Sequence, residues 1–237
     1  MKIELLFPDV CYLGGDTANF EYLCKALPDA EAIRTGIKQR PAFMDEKVDI
    51  ILLGTMTEHA QELVRDALKP CVDRIRELIE GGTVFLITGN AVEVFGQYIE
   101  DDDGTRTEML GMLDYHTGRR MMNRHNSHYI GEMDGFKVVG FKSQFGHCYG
   151  GDYAPMFRTI RGVGFNPDVQ GEGVRIRNFM ATYLLGPILL MNPPFMRALL
   201  TLVGKGSAEI PFEKAATEAY NVRVKEFSDK SVDMIDV

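Results

Sequence analysis

Basic charge is in short supply in this chain: 26 Lys and Arg stand against 34 Asp and Glu, for a net charge of −8. So acidic a protein offers no electrostatic footprint to a phosphate backbone, and no nucleic-acid partner is expected. Long apolar runs are also missing. The most apolar stretch, Met180 to Met191, is interrupted by Gly186 and Pro187. It is too short to cross a bilayer, so no membrane insertion is expected. The N-terminus carries no basic-then-apolar leader, which points to a cytoplasmic address. The four cysteines (Cys11, Cys24, Cys71, Cys148) form no CxxC or other metal-spaced set, and at this length they imply no disulfide framework. Among the five histidines only His125 and His128 lie close together, which gives no metal site, and no cofactor is implied.

What is present reads as a folded α/β chain. Hydrophobic residues make up 45% of the 237, enough for a sizeable core, and no repeat or low-complexity tract interrupts them. Lys2–Phe7 reads as a strand ended by Pro8-Asp9. Asp16 is placed to cap an amphipathic helix running to Leu27, with Phe20, Leu23, Cys24 and Leu27 on one face. Ala30–Arg34 reads as a second short strand. Val48–Leu53 is the strongest strand, its near-continuous apolar run marking burial on both faces of a parallel sheet. Gly54 closes it, and Thr57 can cap a helix that buries Leu63, Ala67 and Leu68. Cys71–Ile79 continues that helix to Gly81-Gly82, Thr83–Ile87 is the next buried strand, and Ala91–Tyr98 reads as a short helix. This βαβαβα order implies a mostly parallel central sheet with helices on both faces.

The pattern changes after the acidic turn Asp101-Asp102-Asp103-Gly104. From Leu110 to Tyr183 short alternating runs separated by Gly, Asn and Asp predict an antiparallel layer appended to the core. Phe179–Leu190 returns to a buried run, and Pro193–Val203 reads as an amphipathic helix. Residues 1–204 are expected to form one domain, and 205–237 a polar extension with one helix over Phe212–Phe227.

In a parallel sheet, ligands gather beyond the carboxyl ends of the strands. At Gly54-Thr55-Met56-Thr57, backbone N–H groups could hold an oxyanion, or the segment is an ordinary capped βα loop. Ile87-Thr88-Gly89-Asn90-Ala91 has the small residues of a nucleophile elbow but only Thr88 or Gly89 at its tip, so a plain turn is the simpler reading. Cys24 and Cys71 read as buried small hydrophobes. His147-Cys148, near Gly146, Gly150 and Gly151, are adjacent on an extended run and pair only if the chain turns. Arg119, Arg120, Arg124, His125 and His128 form a local basic cluster.

The order of several blocks resembles the GatD-type, CobB/CobQ-like class I glutamine amidotransferases over about Leu5 to Val203. They are Asp49-Ile50-Ile51-Leu52-Leu53-Gly54, Glu80-Gly81-Gly82, Met109 to Tyr115 (MLGMLDY), Val138-Val139-Gly140-Phe141 and Thr182 to Leu189 (TYLLGPIL). The resemblance implies a three-layer, flavodoxin-like α/β fold and a partner, a MurT-like (Mur-ligase-like) ATP-dependent ligase subunit. It also implies a cysteine at the elbow and a histidine base from the second-last-strand block. Neither is present here. The cysteine slot falls on Thr88 or Gly89, with Glu93 in the family's glutamine slot, and the histidine slot falls on Leu185. The oxyanion loop keeps Gly54 and reads Thr55-Met56 beyond it. Arg124 matches a family arginine near the glutaminase site and becomes a candidate for holding a carboxylate or a partner's acidic loop. Three functions follow as expectations: a catalytically degenerate subunit that keeps its ligase partner; an active glutaminase or other hydrolase using His147 and Cys148; or a module binding glutamine or another small molecule in the vacated pocket.

Overall fold

The computed structural model describes residues 1–236. Strand and helix alternate through the first half: β1 (Lys2–Leu6), α1 (Thr17–Ala26), β2 (Glu31–Thr35), β3 (Ile50–Leu53), α2 (Glu58–Leu68), α3 (Val72–Glu80), β4 (Val84–Thr88) and the single turn α4 (Ala91–Val94). Short strands follow: β5 (Tyr98–Glu100), β6 (Arg106–Glu108), β7 (Tyr115–Arg119), β8 (His125–Met133), β9 (Phe136–Gln144), β10 (Gly146–Gly150), β11 (Phe157–Arg161), β12 (Gly171–Glu172), β13 (Val174–Ile176) and β14 (Phe179–Thr182). Helices α5 (Ile188–Met191), α6 (Pro193–Leu202) and α7 (Glu213–Ser228) precede the closing strand β15 (Ile235–Asp236).

The central sheet has the order β13-β14-β4-β3-β1-β2. Its strands are parallel except for β13, which joins β14 antiparallel. The apolar runs feed two cores at once, because successive side chains leave a strand on opposite faces. Ile50, Leu52, Val84 and Leu86 pack with Phe20, Leu23, Phe195 and Leu199 on one side. Ile51, Leu53, Phe85 and Ile87 pack with Val64, Leu68, Ile75 and Phe95 on the other. That is the three-layer arrangement expected from the sequence.

The appended layer is two sheets, not one: β10-β7-β5-β6, and β12-β11-β8-β15 with β9 paired along the length of β8. It is tied down by a wholly buried ion pair, Lys142 on β9 with Glu172 on β12. Glu172 also accepts from Thr182 Oγ1 and the Tyr183 amide at 2.8 Å each, which joins this layer to the end of β14. The residues beyond Lys205, expected as an extension, lie against the same layer. Arg161 donates to the Phe227 and Val232 carbonyls, Tyr220 to the Lys137 carbonyl at 2.9 Å, and β15 pairs with β8.

Three local expectations need correction. Asp16 does not cap α1: its side chain makes no capping hydrogen bond, because it is drawn inward toward Thr55. Leu63 is on the exposed side of α2, whose buried stripe is Ala60, Gln61, Val64 and Leu68. The helix expected over Ala91–Tyr98 stops after one turn, because the chain must start β5 at Tyr98. Thr57 does cap α2, accepting from the Ala60 amide at 3.3 Å. Cys71 is buried as expected, while Cys24 is only half-buried.

Candidate functional site

A cleft of about 400 Å³ opens at the carboxyl ends of the parallel strands, between the β3–α2 and β4–α4 turns on one side and the appended layer on the other. Its floor is the elbow. β4 ends at Thr88, and Gly89 follows with φ +62°, a left-handed conformation that a residue without Cβ adopts at little cost. No side chain fits there. A Cβ on Gly89 would overlap the Thr55 hydroxyl outright and come within 2.8 Å of Leu185 Cδ2. Leu185 is held in place by its own amide, which donates to the Phe141 carbonyl at 3.0 Å. Both slots that the sequence singled out, Thr88 or Gly89 and Leu185, thus meet at one point, and apolar carbon and a threonine fill it.

Behind Thr55 lies Asp16, 3% exposed. Its Oδ2 accepts from the Thr55 amide at 2.8 Å and from the Thr55 hydroxyl, while Oδ1 has no hydrogen-bond partner among the described residues. Burial pushes its carboxyl up to about 6, against the opposing hydrogen bonds from Thr55. Gly54 makes room for it, since a Cβ at that position would sit 2.9 Å from Asp16 Cβ. The Met56 amide donates to Asn90 Oδ1 at 3.0 Å, and Asn90 Nδ2 returns the bond to the Met56 carbonyl at 2.8 Å. Two of the amides expected to be free after Leu53, those of Thr55 and Met56, are therefore taken by Asp16 and Asn90.

A second buried acid lies beside the first. Glu93 on α4, 2% exposed, accepts from Gln61 Nε2 at 2.7 Å and from the Tyr183 hydroxyl at 3.0 Å. Burial pushes it up to about 7, opposed by those two bonds and by the Arg119 charge. Arg119 reaches Gln61 Oε1 at 3.3 Å and forks onto Asp101 at 2.6 and 2.8 Å. Sequence reasoning assigned no role to Gln61, Asp101 or Tyr183. The signals available were a charged residue in the apolar run after the elbow and an acidic turn with no evident cation.

His147 and Cys148 do not meet as a pair. On β10 their side chains leave the strand on opposite faces, with Cys148 1% exposed and His147 half-buried. Cys148 contacts the Tyr183 hydroxyl at 3.1 Å and Thr117 Oγ1 at 3.4 Å, and burial raises its thiol far above the thiolate range. The His147 ring faces His125 at 5.3 Å and Gln144, and burial pulls it down to about 4. Cys11 is also buried, against Met56. Among the described residues no group of three His, Cys, Asp or Glu could hold a metal ion, and no helix is long and apolar enough to cross a membrane.

The far wall of the cleft is different. Arg124 stacks on the Phe145 ring at 4.4 Å and forms no ion pair with any described residue, beside Ser143, Gln144 and Phe141. The rest of the basic cluster is neutralised locally: Arg119 pairs with Asp101 and Arg120 with Asp102.

Residues 13–193 match the sequence model of the CobB/CobQ-like glutamine amidotransferase domain. The chain is 31% identical over 178 residues to the lipid II isoglutaminyl synthase (glutamine-hydrolyzing) subunit GatD of Staphylococcus aureus, covering 75% of this chain and 72% of that one. It is 28% identical over 211 residues to the Streptococcus pneumoniae protein of the same description, covering 85% and 79%. A glutamine amidotransferase from Thermotoga maritima shares the fold with a TM-score of 0.53 at 11% identity, covering 94% of this chain and 92% of that one. A second crystal structure of a glutamine amidotransferase gives 0.53 at 17%, covering 85% and 99%.

Proposed function

The chain belongs to the CobB/CobQ-like glutamine amidotransferases of the GatD type, and from that premise we propose that it is the amidotransferase-fold subunit of a Mur-ligase-like, ATP-dependent amidating enzyme of the lipid II kind, and that it has lost the glutaminase step. One observation carries this reading: the elbow tip at Gly89 has no side chain and no room for one, with Thr55 and Leu185 occupying the space where a thiol and its base would stand. Covalent glutamine hydrolysis needs a nucleophile positioned against a base. The positive φ at Gly89 favours Gly89 over Thr88 as the elbow tip. Cys148 offers no substitute, because its thiol is enclosed and turned away from His147.

The test is glutamate release from glutamine, by the chain alone and copurified with a Mur-ligase-like protein. The expected result is a stable complex with no release. Turnover above background that is lost on alkylation, or in Cys148→Ala, would overturn the loss of activity. Failure to form the complex would overturn the subunit assignment.

A second reading is favoured by Arg124. A guanidinium held over a ring in a 400 Å³ cleft, with no carboxylate of the described residues on it, suits a small ligand bearing one. Such a ligand raises the melting point of the wild type and not that of Arg124→Ala, because binding stabilises by mass action.

A further inference from the structure

The end of the chain lies beyond the stretch that matches the family model, and it is built onto one edge of β8. β9 takes the other edge along its full length, while β11 follows this one only as far as Ile130. β15 takes it up again, setting Ile235 opposite Ser127 and Asp236 opposite Asn126. Between the two, the His128 amide donates to the Met234 carbonyl at 2.8 Å. Arg161, where β11 leaves β8, spends its guanidinium on the main chain of this tail. It donates to the Phe227 carbonyl at 2.9 Å, to the Val232 carbonyl at 2.6 Å and to the Asp229 carbonyl. Asp229 folds the chain back by accepting from the Ser231 amide at 2.9 Å and from its hydroxyl at 2.8 Å. From Asp229 to Met234 only the Met234 side chain is buried. It joins a small core with Ile130, Val139, Tyr220 and Phe227, separate from the two main ones.

Ordering this segment costs conformational entropy at every residue, and one buried methionine with a few partly exposed hydrogen bonds offsets little of it. The tail therefore stands at the low-stability end of the molecule, and Arg161 is the group that closes it. What it rests against is the cleft wall. Asn126 Oδ1 accepts from Ser143 Oγ at 2.8 Å across the β8–β9 ladder, and His125 stands opposite Gln144 in register. Arg124, the residue before β8, reaches the Phe145 ring just beyond β9. Arg124, Ser143, Gln144 and Phe145 all line the cleft. We propose that residues 229–236 are a releasable strap, locked by Arg161, that holds this wall in place, so that seating of the strap and order at Arg124 rise and fall together. With the strap away, the start of β8 from His125 to Ser127 pairs with β9 alone, and a two-stranded ribbon is marginal in water. The coupling is reciprocal by linkage: a ligand that fills the cleft against this wall also tightens the strap.

Amide hydrogen exchange on the full chain tests this, in the wild type, Arg161→Ala, Arg161→Lys and the milder Asp229→Ala. Thermal melting serves as the control for the main cores. In Arg161→Ala the His128 amide and those of residues 229–236 should exchange faster by on the order of tenfold. Arg161→Lys should behave alike, because an ammonium keeps the charge and cannot fork onto three carbonyls. The deciding amides are those of Lys142, Ser143 and Gln144 on β9, one strand removed from the strap. They should exchange about threefold faster in both Arg161 variants, and by a smaller factor in Asp229→Ala, with the melting point little changed. Wild-type exchange on β9 beside a loosened tail overturns the hold on the wall. A tail that stays protected in Arg161→Ala and Asp229→Ala overturns the strap, and wild-type protection in Arg161→Lys overturns Arg161 as its lock. A melting point that collapses in Asp229→Ala as well as in Arg161→Ala overturns release, since the segment then unfolds only with the main cores.

Discussion

The floor and the far wall of the cleft both carry charged side chains, and these end in opposite states. On the floor, Asn90, Gln61, Glu93 and Tyr183 are hydrogen-bonded within the protein, Asp16 holds Thr55 through one carboxylate oxygen, and Leu185 seals the elbow tip. On the wall, Arg124 forms no ion pair with any described residue. A floor that answers only to itself is a structural element. The difference fits the proposed loss of the glutaminase step on a scaffold that keeps the family's fold.

The largest effect that can break this contrast is at Gly89. Gly89→Ala puts a Cβ into the Thr55 hydroxyl and Leu185 and forces a side chain onto a left-handed backbone, at a cost on the order of 3 kcal/mol. Combining it with Thr55→Gly and Leu185→Ala should recover part of that loss in denaturant titration. A Gly89→Ala variant as stable as the wild type would mean that the floor is not closed.

The next effect is a pH dependence. Glu93 is raised from 4.5 to about 7 by burial, so the native state holds its proton across a window in which the unfolded chain has released it. Its contribution is fully present below pH 4.5 and is lost as pH rises through 7, worth about 3 kcal/mol across that window. Asp16, raised from 3.8 to about 6, acts in the same direction in a lower window. Glu93→Gln removes the first effect, so the stability of the variant relative to wild type should rise between pH 4.5 and pH 8. Parallel curves would place Glu93 in a wetter, better-solvated site.

The smallest effect sharpens the wall. Arg124→Ala surrenders one exposed cation–ring contact and should change stability by no more than about 1 kcal/mol. A larger loss would make Arg124 part of the structure rather than a group held ready for a ligand.

Much of the fold was legible because it rests on patterns local in the chain. The apolar runs Val48–Leu53 and Thr83–Ile87 required a sheet covered on both faces, and Thr57 and Gly81-Gly82 marked the ends of the helices between them. That Ile87–Ala91 holds no cysteine and Thr182–Leu189 no histidine was legible too, since residue identity needs no coordinates. Other features were beyond reach. Asp16 is 39 residues from the Thr55 it holds, and Tyr183 is 90 residues from Glu93. A carboxylate before a helix looks like a cap until tertiary packing shows that it is buried instead.

The sequence by itself determined the layered α/β architecture, because the near-continuous apolar runs of the central strands and the helix punctuation between them are properties of neighbouring residues. It also placed Thr88 or Gly89, and no cysteine, in the elbow segment Ile87–Ala91. Only the tertiary structure decided that Thr55 and Leu185 close over Gly89, that burial raises Asp16 to about 6 and Glu93 to about 7, and that Arg119 and Arg120 take acidic partners while Arg124 forms no ion pair with any described residue. Those depend on which distant side chains meet and how much water remains between them, and burial and pairing set the energy of a charge where residue type alone does not.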